Sequence, residues 1–139
     1  MIMGEFYHTL DAKNRTILPA KLREQLGDQL VLIKGLDNCI AVYPIEAWRA
    51  YAEKLDALPD ISARRAKLII YASACETQPD AQGRILIPQN LRDHAGLAKE
   101  ITTVGMSDHA EIWDSGAWRE MANSINSDEM KKTLMSLGF

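Results

Sequence analysis

Asp11 to Gly27 reads DAKNRTILPAKLREQLG, and Asp80 to Gly96 reads DAQGRILIPQNLRDHAG. Laid over each other at a spacing of 69, they pair Asp11 with Asp80, Ala12 with Ala81, Arg15 with Arg84, Pro19 with Pro88, Leu22 with Leu91, Arg23 with Arg92 and Gly27 with Gly96. One added residue in the second copy moves the later matches to a spacing of 70, so that Gly35 meets Gly105, Val42 meets Ile112, Tyr43 meets Trp113 and Trp48 meets Trp118. Stacked repeat arrays need about three units to bury a continuous core. Two copies point instead to a pseudo-twofold domain, equivalent to a symmetric dimer fused into one chain.

Within each copy the local signals follow one order. Phe6 to Leu10 alternates large and polar side chains and reads as a strand. Asp11 to Arg15 reads as a tight connection into a second strand, Thr16 to Leu18. The fourth position of that connection is Asn14 in one copy and Gly83 in the other. Glycine and asparagine are the residues that tolerate positive φ, so a left-handed turn is expected there. Asp11 and Asp80 suit a companion role, each carboxylate accepting backbone N–H groups across the turn. Their alternative as general acid or base lacks a convergent histidine or second acid in both copies.

Pro19 and Pro88 stand where a helix begins and lose no hydrogen bond there. Ala20 to Leu26 and Gln89 to Ala95 then read as two-turn helices ended by Gly27 and Gly96. Leu30 to Lys34 and Glu100 to Val104 read as third strands, and Cys39 to Tyr43 and Ala110 to Trp113 as fourth strands. Beyond Tyr43, Trp48, Tyr51, Ala52, Leu55 and Leu58 recur at helical spacing up to Pro59. Asp60 is placed to cap a further helix through Ala74, in which Leu68 to Tyr71 could also be strand. Ser115 is placed to cap the helix that carries Trp118, and Ser127 to Leu137 reads as a terminal helix. The fold class is therefore α+β, mainly β. Residues 5–48 form the first repeat, 49–73 a helical linker, 74–118 the second repeat and 119–139 a helical tail.

At 139 residues each half is about 70 residues long and marginal alone, so the halves should share a core. No basic, apolar leader opens the chain and no apolar run approaches the roughly 20 residues of a membrane helix, so a cytosolic protein is expected. Cys39 and Cys75 occupy non-equivalent repeat positions and form no C-x-x-C, which argues against a disulfide framework or a metal site. The histidines His8, His94 and His109 share no motif. With no phosphate-binding glycine loop or nucleophile signature either, no catalytic residue, cofactor or small-molecule substrate is expected.

The net charge of −3 argues against nucleic acid until its distribution is read. Lys13, Arg15, Lys21 and Arg23 fall between Ala12 and Arg23 with no acid among them, and Arg84 and Arg92 occupy the matching stretch. Each repeat carries one locally positive segment on an otherwise acidic chain. Two roles are open to Arg15 and Arg84. Each could brace its turn against Asp11 or Asp80, or project with its neighbours toward phosphate or a guanine edge.

The doubled D-x-x-[GN]-R-x-x-x-P-x-x-L-R motif, followed by LDNCIAVYPIEAW and GMSDHAEIWDSGAW, resembles the MraZ family of bacterial transcriptional regulators, from Met3 to about Trp118. The resemblance implies a pseudo-twofold, double-psi-like or AbrB-like swapped-hairpin barrel. It also implies a cytoplasmic, nucleoid-associated protein that binds double-stranded DNA at direct repeats upstream of the cell-division and cell-wall gene cluster, including its own promoter. A ring-like homo-oligomer is a further family property. Carried over by motif, the DNA-binding signature falls on Asp11 and Arg15 and on Asp80 and Arg84, with Arg23 and Arg92 as the arginines of the following L-R. Asn14 departs from the family's usual glycine. Lys13 and Lys21 face Gln82 and Asn90, so the first copy is expected to carry more of the phosphate affinity. An antitoxin-like or purely protein-binding assembly module is the alternative reading.

Overall fold

In the computed structural model, which describes residues 1–139 apart from the side chain of Asp60, both copies run strand, strand, short helix, strand, strand, helix. Copy 1 contains β1 (Glu5–Thr9), β2 (Arg15–Ile17), α1 (Ala20–Leu26), β3 (Leu30–Lys34), β4 (Ile40–Pro44) and α2 (Ile45–Asp56). After α3 (Asp60–Ser73), copy 2 contains β5 (Cys75–Thr77), β6 (Arg84–Leu86), α4 (Gln89–Ala95), β7 (Glu100–Gly105), β8 (Ala110–Asp114) and α5 (Ser115–Ser124), and α6 (Ser127–Ser136) follows.

The copies do not pair within themselves alone. The larger sheet has the order β1-β7-β8-β4-β3-β5, and β2 and β6 form a separate ribbon. All pairs are antiparallel. The first strand of each copy thus lies beside the third strand of the other, β1 on β7 and β5 on β3. Two pairs straddle the pseudo-twofold axis, with Thr16 opposite Ile85 in the ribbon and Ala41 opposite Glu111 between β4 and β8.

Three apolar clusters hold the layers. The main core lies between the large sheet and the layer of ribbon and short helices. It joins Leu18, Leu22, Leu30 and Leu32 of copy 1 to Ile87, Leu91 and Ile101 of copy 2, all 0–1% exposed. A side chain so buried contributes about 1.5–3 kcal/mol. β3 alternates between two cores, because Leu30 and Leu32 face this one while Val31 and Ile33 face α2 and α3 with Tyr43, Trp48 and Tyr51. The corresponding cluster of copy 2 is smaller, with Cys39, Val104 and Trp113 packed against Trp118 and Met121. One atom of the main core breaks the pattern. Thr16 Oγ1 is buried without a hydrogen-bond partner, where copy 2 places Ile85.

Local details correct the expected cap of α5 and settle two other readings. Asp114, not Ser115, caps α5, because its side chain accepts from Ala117 N at 3.2 Å. Ser115 is the first helical residue, and its hydroxyl is buried 2.8 Å from that of Thr102. Leu68 to Tyr71 is helical throughout. Pro19 and Pro88 sit one residue before α1 and α4, with extended ψ of 149° and 151°. The cap expected from the Asp60 side chain lies outside the described residues. Among those residues, no helix is long and apolar enough to cross a membrane.

Candidate nucleic-acid interface

Each connecting loop is built around one carboxylate. Asp11 Oδ1 accepts the backbone N–H groups of Lys13 and Arg15, both at 2.9 Å, and Oδ2 accepts Arg15 Nε at 2.8 Å. Asp80 repeats this with Gln82 N at 3.0 Å, Arg84 N at 2.9 Å and Arg84 Nε at 2.8 Å. The chain can close on its own aspartate because Asn14 and Gly83 turn it through φ of 61° and 80°. The backbone N–H of Arg15, followed by that of Lys13 and the Arg15 side chain, holds the Asp11 carboxyl below its ordinary range against the opposing effect of desolvation. Asp80 is held down in the same way, first by the backbone N–H of Arg84. Both acids are thus committed to the turns as anions, which removes the proton an acid catalyst would need.

The ribbon brings the two loops onto one surface. Leu18 N donates to Gly83 O at 2.8 Å and Ile87 N to Asn14 O at 3.0 Å, so each turn is fastened to the strand of the other copy. Register places Arg15 opposite Leu86 and Ile17 opposite Arg84. Because side chains alternate along a strand, these four share the outer face while Thr16 and Ile85 point into the core. Ile17 is 45% and Leu86 55% exposed. The outer face is therefore a diagonal pair of arginines with an apolar side chain beside each. Both proposed roles of the arginines are compatible here, since the ion pair to aspartate engages Nε at each, although Arg84 Nη2 also donates to Gln82 Oε1 at 2.7 Å.

The remaining cations separate into two kinds. Lys13 and Lys21 are exposed. Arg23 and Arg92 are half-buried braces: Arg23 Nε donates to Leu18 O at 3.0 Å and Arg92 Nη1 donates to Ile87 O. Arg23 also lies against the other copy's turn, since a Cβ added at Gly83 would come within 2.8 Å of its guanidinium carbon. Arg92 joins Asp11, Ala12 and Asn14 around a shallow depression in the mirror position. Sequence reasoning passed over Ile17 and Leu86. Their signal was the alternation in RTI and RIL, which puts an arginine and an apolar residue on the same side of each short strand.

His94 and His109 sit elsewhere and are occupied. His94 Nε2 lies 3.3 Å from Gly35 O and 3.1 Å from Asp37 O. His109 lies between Asp108 at 2.7 Å and Glu111 at 3.3 Å, stacked on Tyr43 with ring centroids 4.6 Å apart. Its pKa is raised, chiefly by the Glu111 carboxylate and against desolvation. Cys39 is fully buried, and burial pushes its thiol up to about 12, far from a reactive thiolate. Among the described residues, no three metal-ligating side chains converge.

Comparison with known proteins agrees with the duplicated organisation. The family described as "MraZ protein, putative antitoxin-like" matches twice, at residues 1–68 and 70–136. The chain is 48% identical over 128 residues to a protein of Thermoanaerobacter sp. (strain X514), covering 91% of this chain and 90% of that one. It is 44% identical over 142 residues to one of Caldicellulosiruptor bescii, covering 99% of each. A protein of Clostridium beijerinckii is 43% identical over 141 residues, again with 99% of each chain covered. All three carry the name transcriptional regulator MraZ. With both halves of the chain matched and relatives this similar over nearly its full length, the protein belongs to the MraZ family.

Proposed function

We propose that this protein is a sequence-specific DNA-binding transcriptional regulator and that the β2–β6 ribbon is its reading surface. The observation that carries this is the outer face of the ribbon, where Arg15, Ile17, Arg84 and Leu86 lie side by side across two strands. A two-stranded ribbon fits the major groove of B-form DNA, arginine recognises guanine there, and an apolar side chain can contact the thymine methyl. Lys13 and Lys21 hold the backbone phosphates, with more of this in copy 1 than in copy 2. Arg23 and Arg92 act mainly by holding the turns from behind. The names of the relatives support the regulatory role. The exchange of β1 and β5 between copies supports a swapped-hairpin, AbrB-like relationship, with residues 5–48 and 74–118 as the paired units and 49–73 joining them.

One ribbon offers too few cations for tight binding at physiological salt, so the functional unit is a homo-oligomer engaging several boxes at once. Linked engagement raises affinity through effective concentration without new contacts per chain. The targets inferred from family membership are direct repeats upstream of the division and cell-wall gene cluster, the protein's own promoter among them, in the nucleoid. The test is a titration against duplexes with one, two or several boxes at two salt concentrations, with wild type and Arg15→Ala/Arg84→Ala. The reading requires affinity that rises with box number, falls steeply with salt and collapses in the double variant. Equal weak binding to every duplex by both proteins would refute it, and a stoichiometric co-purifying protein would favour the antitoxin-like alternative.

A further inference from the structure

The two copies treat their second long helix differently. After α2 the chain turns at 57–59 and α3 lies back over copy 1. There Ile70 and Ala74 pack against Val31, Ile33, Ala41 and Tyr43. Tyr71 meets Trp48 edge-on with centroids 6.0 Å apart, and Ser73 Oγ accepts from Lys34 N at 3.1 Å. After α5 the chain turns at 125–126 into α6, where every residue is exposed.

α6 is nevertheless the counterpart of α3. α5 has ten residues where α2 has twelve, and its loop is one residue shorter, so the repeat offset drops from 70 to 67. At that offset Arg64 and Arg65 fall on Lys131 and Lys132, and Leu68 falls on Met135. The half-buried positions of α3, Ala63, Lys67 and Ile70, of which Ile70 packs on the core, fall on Met130, Leu134 and Leu137. These three form one stripe at spacings of four and three. They are 51%, 41% and 69% exposed.

The place where α3 rests also has a counterpart. Tyr43, Trp48 and Tyr51, against which α3 packs in copy 1, correspond to Trp113, Trp118 and Met121. In copy 2 these last three line an open cavity of about 470 Å³ with Val104 and Leu36. Glu5, Asp37 and Glu111 are also among its lining residues, opposite in charge to Lys131 and Lys132, and Glu5 accepts from Trp118 Nε1. A ten-residue helix is marginal in water unless its apolar stripe is covered. The chain thus carries both a helix without a seat and a seat without a helix.

It cannot join them as copy 1 does. At 3.6 residues per turn, two fewer helical residues swing the exit of α5 around to roughly the opposite side, which directs α6 away from its own cavity. We propose that α6 of one chain docks in the Trp113–Trp118 cavity of a second, setting Met130, Leu134 and Leu137 where α3 sets Ala63, Lys67 and Ile70 in copy 1. The contact joins two different patches. It is therefore heterologous, and it propagates from chain to chain until rotation closes the assembly.

This inference rests on the self-association part of the proposed function, and the experiment separates the two. The full-length protein is sized by light scattering as wild type, Leu134→Asp and Met121→Lys, with helicity checked for each. Leu134 is exposed in the single chain, so its substitution leaves the fold intact. Leu134→Cys and Met121→Cys chains in a Cys75→Ser background are then mixed and treated with a short bismaleimide. Docking predicts a wild-type assembly, at least a twofold fall in mass for both variants, and covalent dimers formed from the mixture and not from either chain alone. An assembled wild type whose variants keep their mass and give no mixed dimer overturns the docking and leaves self-association standing. A monomeric wild type overturns both. Cross-linking confined within a chain bearing both cysteines overturns the assignment to a second copy.

Discussion

In copy 1 the loop from Asp11 to Arg15 turns at Asn14 with φ 61°, and in copy 2 the loop from Asp80 to Arg84 turns at Gly83 with φ 80°. The carboxylate contacts of the two agree to within 0.1 Å. Their charges differ, because Lys13 and Lys21 are replaced by Gln82 and Asn90. The comparison teaches that loop shape and local charge are separable. Aspartate, a left-handed residue and arginine set the first, and lysines added around them set the second.

The largest expected effect tests whether the two arginines are equivalent despite that charge difference. Arg15→Ala and Arg84→Ala should each weaken specific DNA binding by about 1–3 kcal/mol per engaged loop. If titrations find one substitution silent, only one loop reads bases. Next comes the turn residue. Gly83→Ala forces a Cβ onto positive φ and against Arg23, and should destabilise by about 1–3 kcal/mol in urea unfolding. Asn14→Gly should be close to neutral or slightly stabilising, and equal effects at both sites would break the asymmetry.

Thr16→Val removes an orphaned buried hydroxyl and should raise unfolding free energy by about 1 kcal/mol. The reverse exchange, Ile85→Thr, should lower it. Exchanging charge without shape is the sharpest test of separability. Lys13→Gln with Lys21→Asn should reduce the slope of log affinity against log salt by about 1 for each phosphate no longer neutralised, with preference among box sequences retained. The smallest effect is that of pH. Both aspartates have folded pKa values below 3.8. The stability they contribute is in place above the unfolded value and is lost as pH falls through the lower folded one. Asp11→Asn and Asp80→Asn should each flatten unfolding profiles in that acidic window, and a shift confined to neutral pH would point elsewhere. The carboxylates are more than a third exposed, so solvent screening keeps this effect small.

Local structure was legible where it depended on neighbours in sequence. The limits of α1, α4 and β3 coincide with those read from Pro19, Pro88, Gly27, Gly96 and the LVLIK run. The positive φ at Asn14 and Gly83 was readable from their exchange. Partnership was not, because nothing local to Glu5–Thr9 names Glu100–Gly105 as its neighbour. The same limit hid the outer face of the ribbon. Ile17 and Leu86 become a surface only when register sets them beside the arginines of the opposite strand. Ser115 misled because serine and aspartate both cap helices, and the choice fell to the carboxylate once the serine hydroxyl found Thr102.

The exchange of first strands also sets a timetable. A chain emerging from the ribosome completes β1 when its partner β7 is about a hundred residues from being made, and β2 must likewise wait for β6. Such distant pairings are slow to form and leave early segments exposed meanwhile. The first half cannot mature ahead of the second, and the ribbon comes into being only after β6 has been synthesised. A prematurely terminated product ending before Arg84 would lack the paired ribbon entirely, and with it the surface proposed to meet DNA.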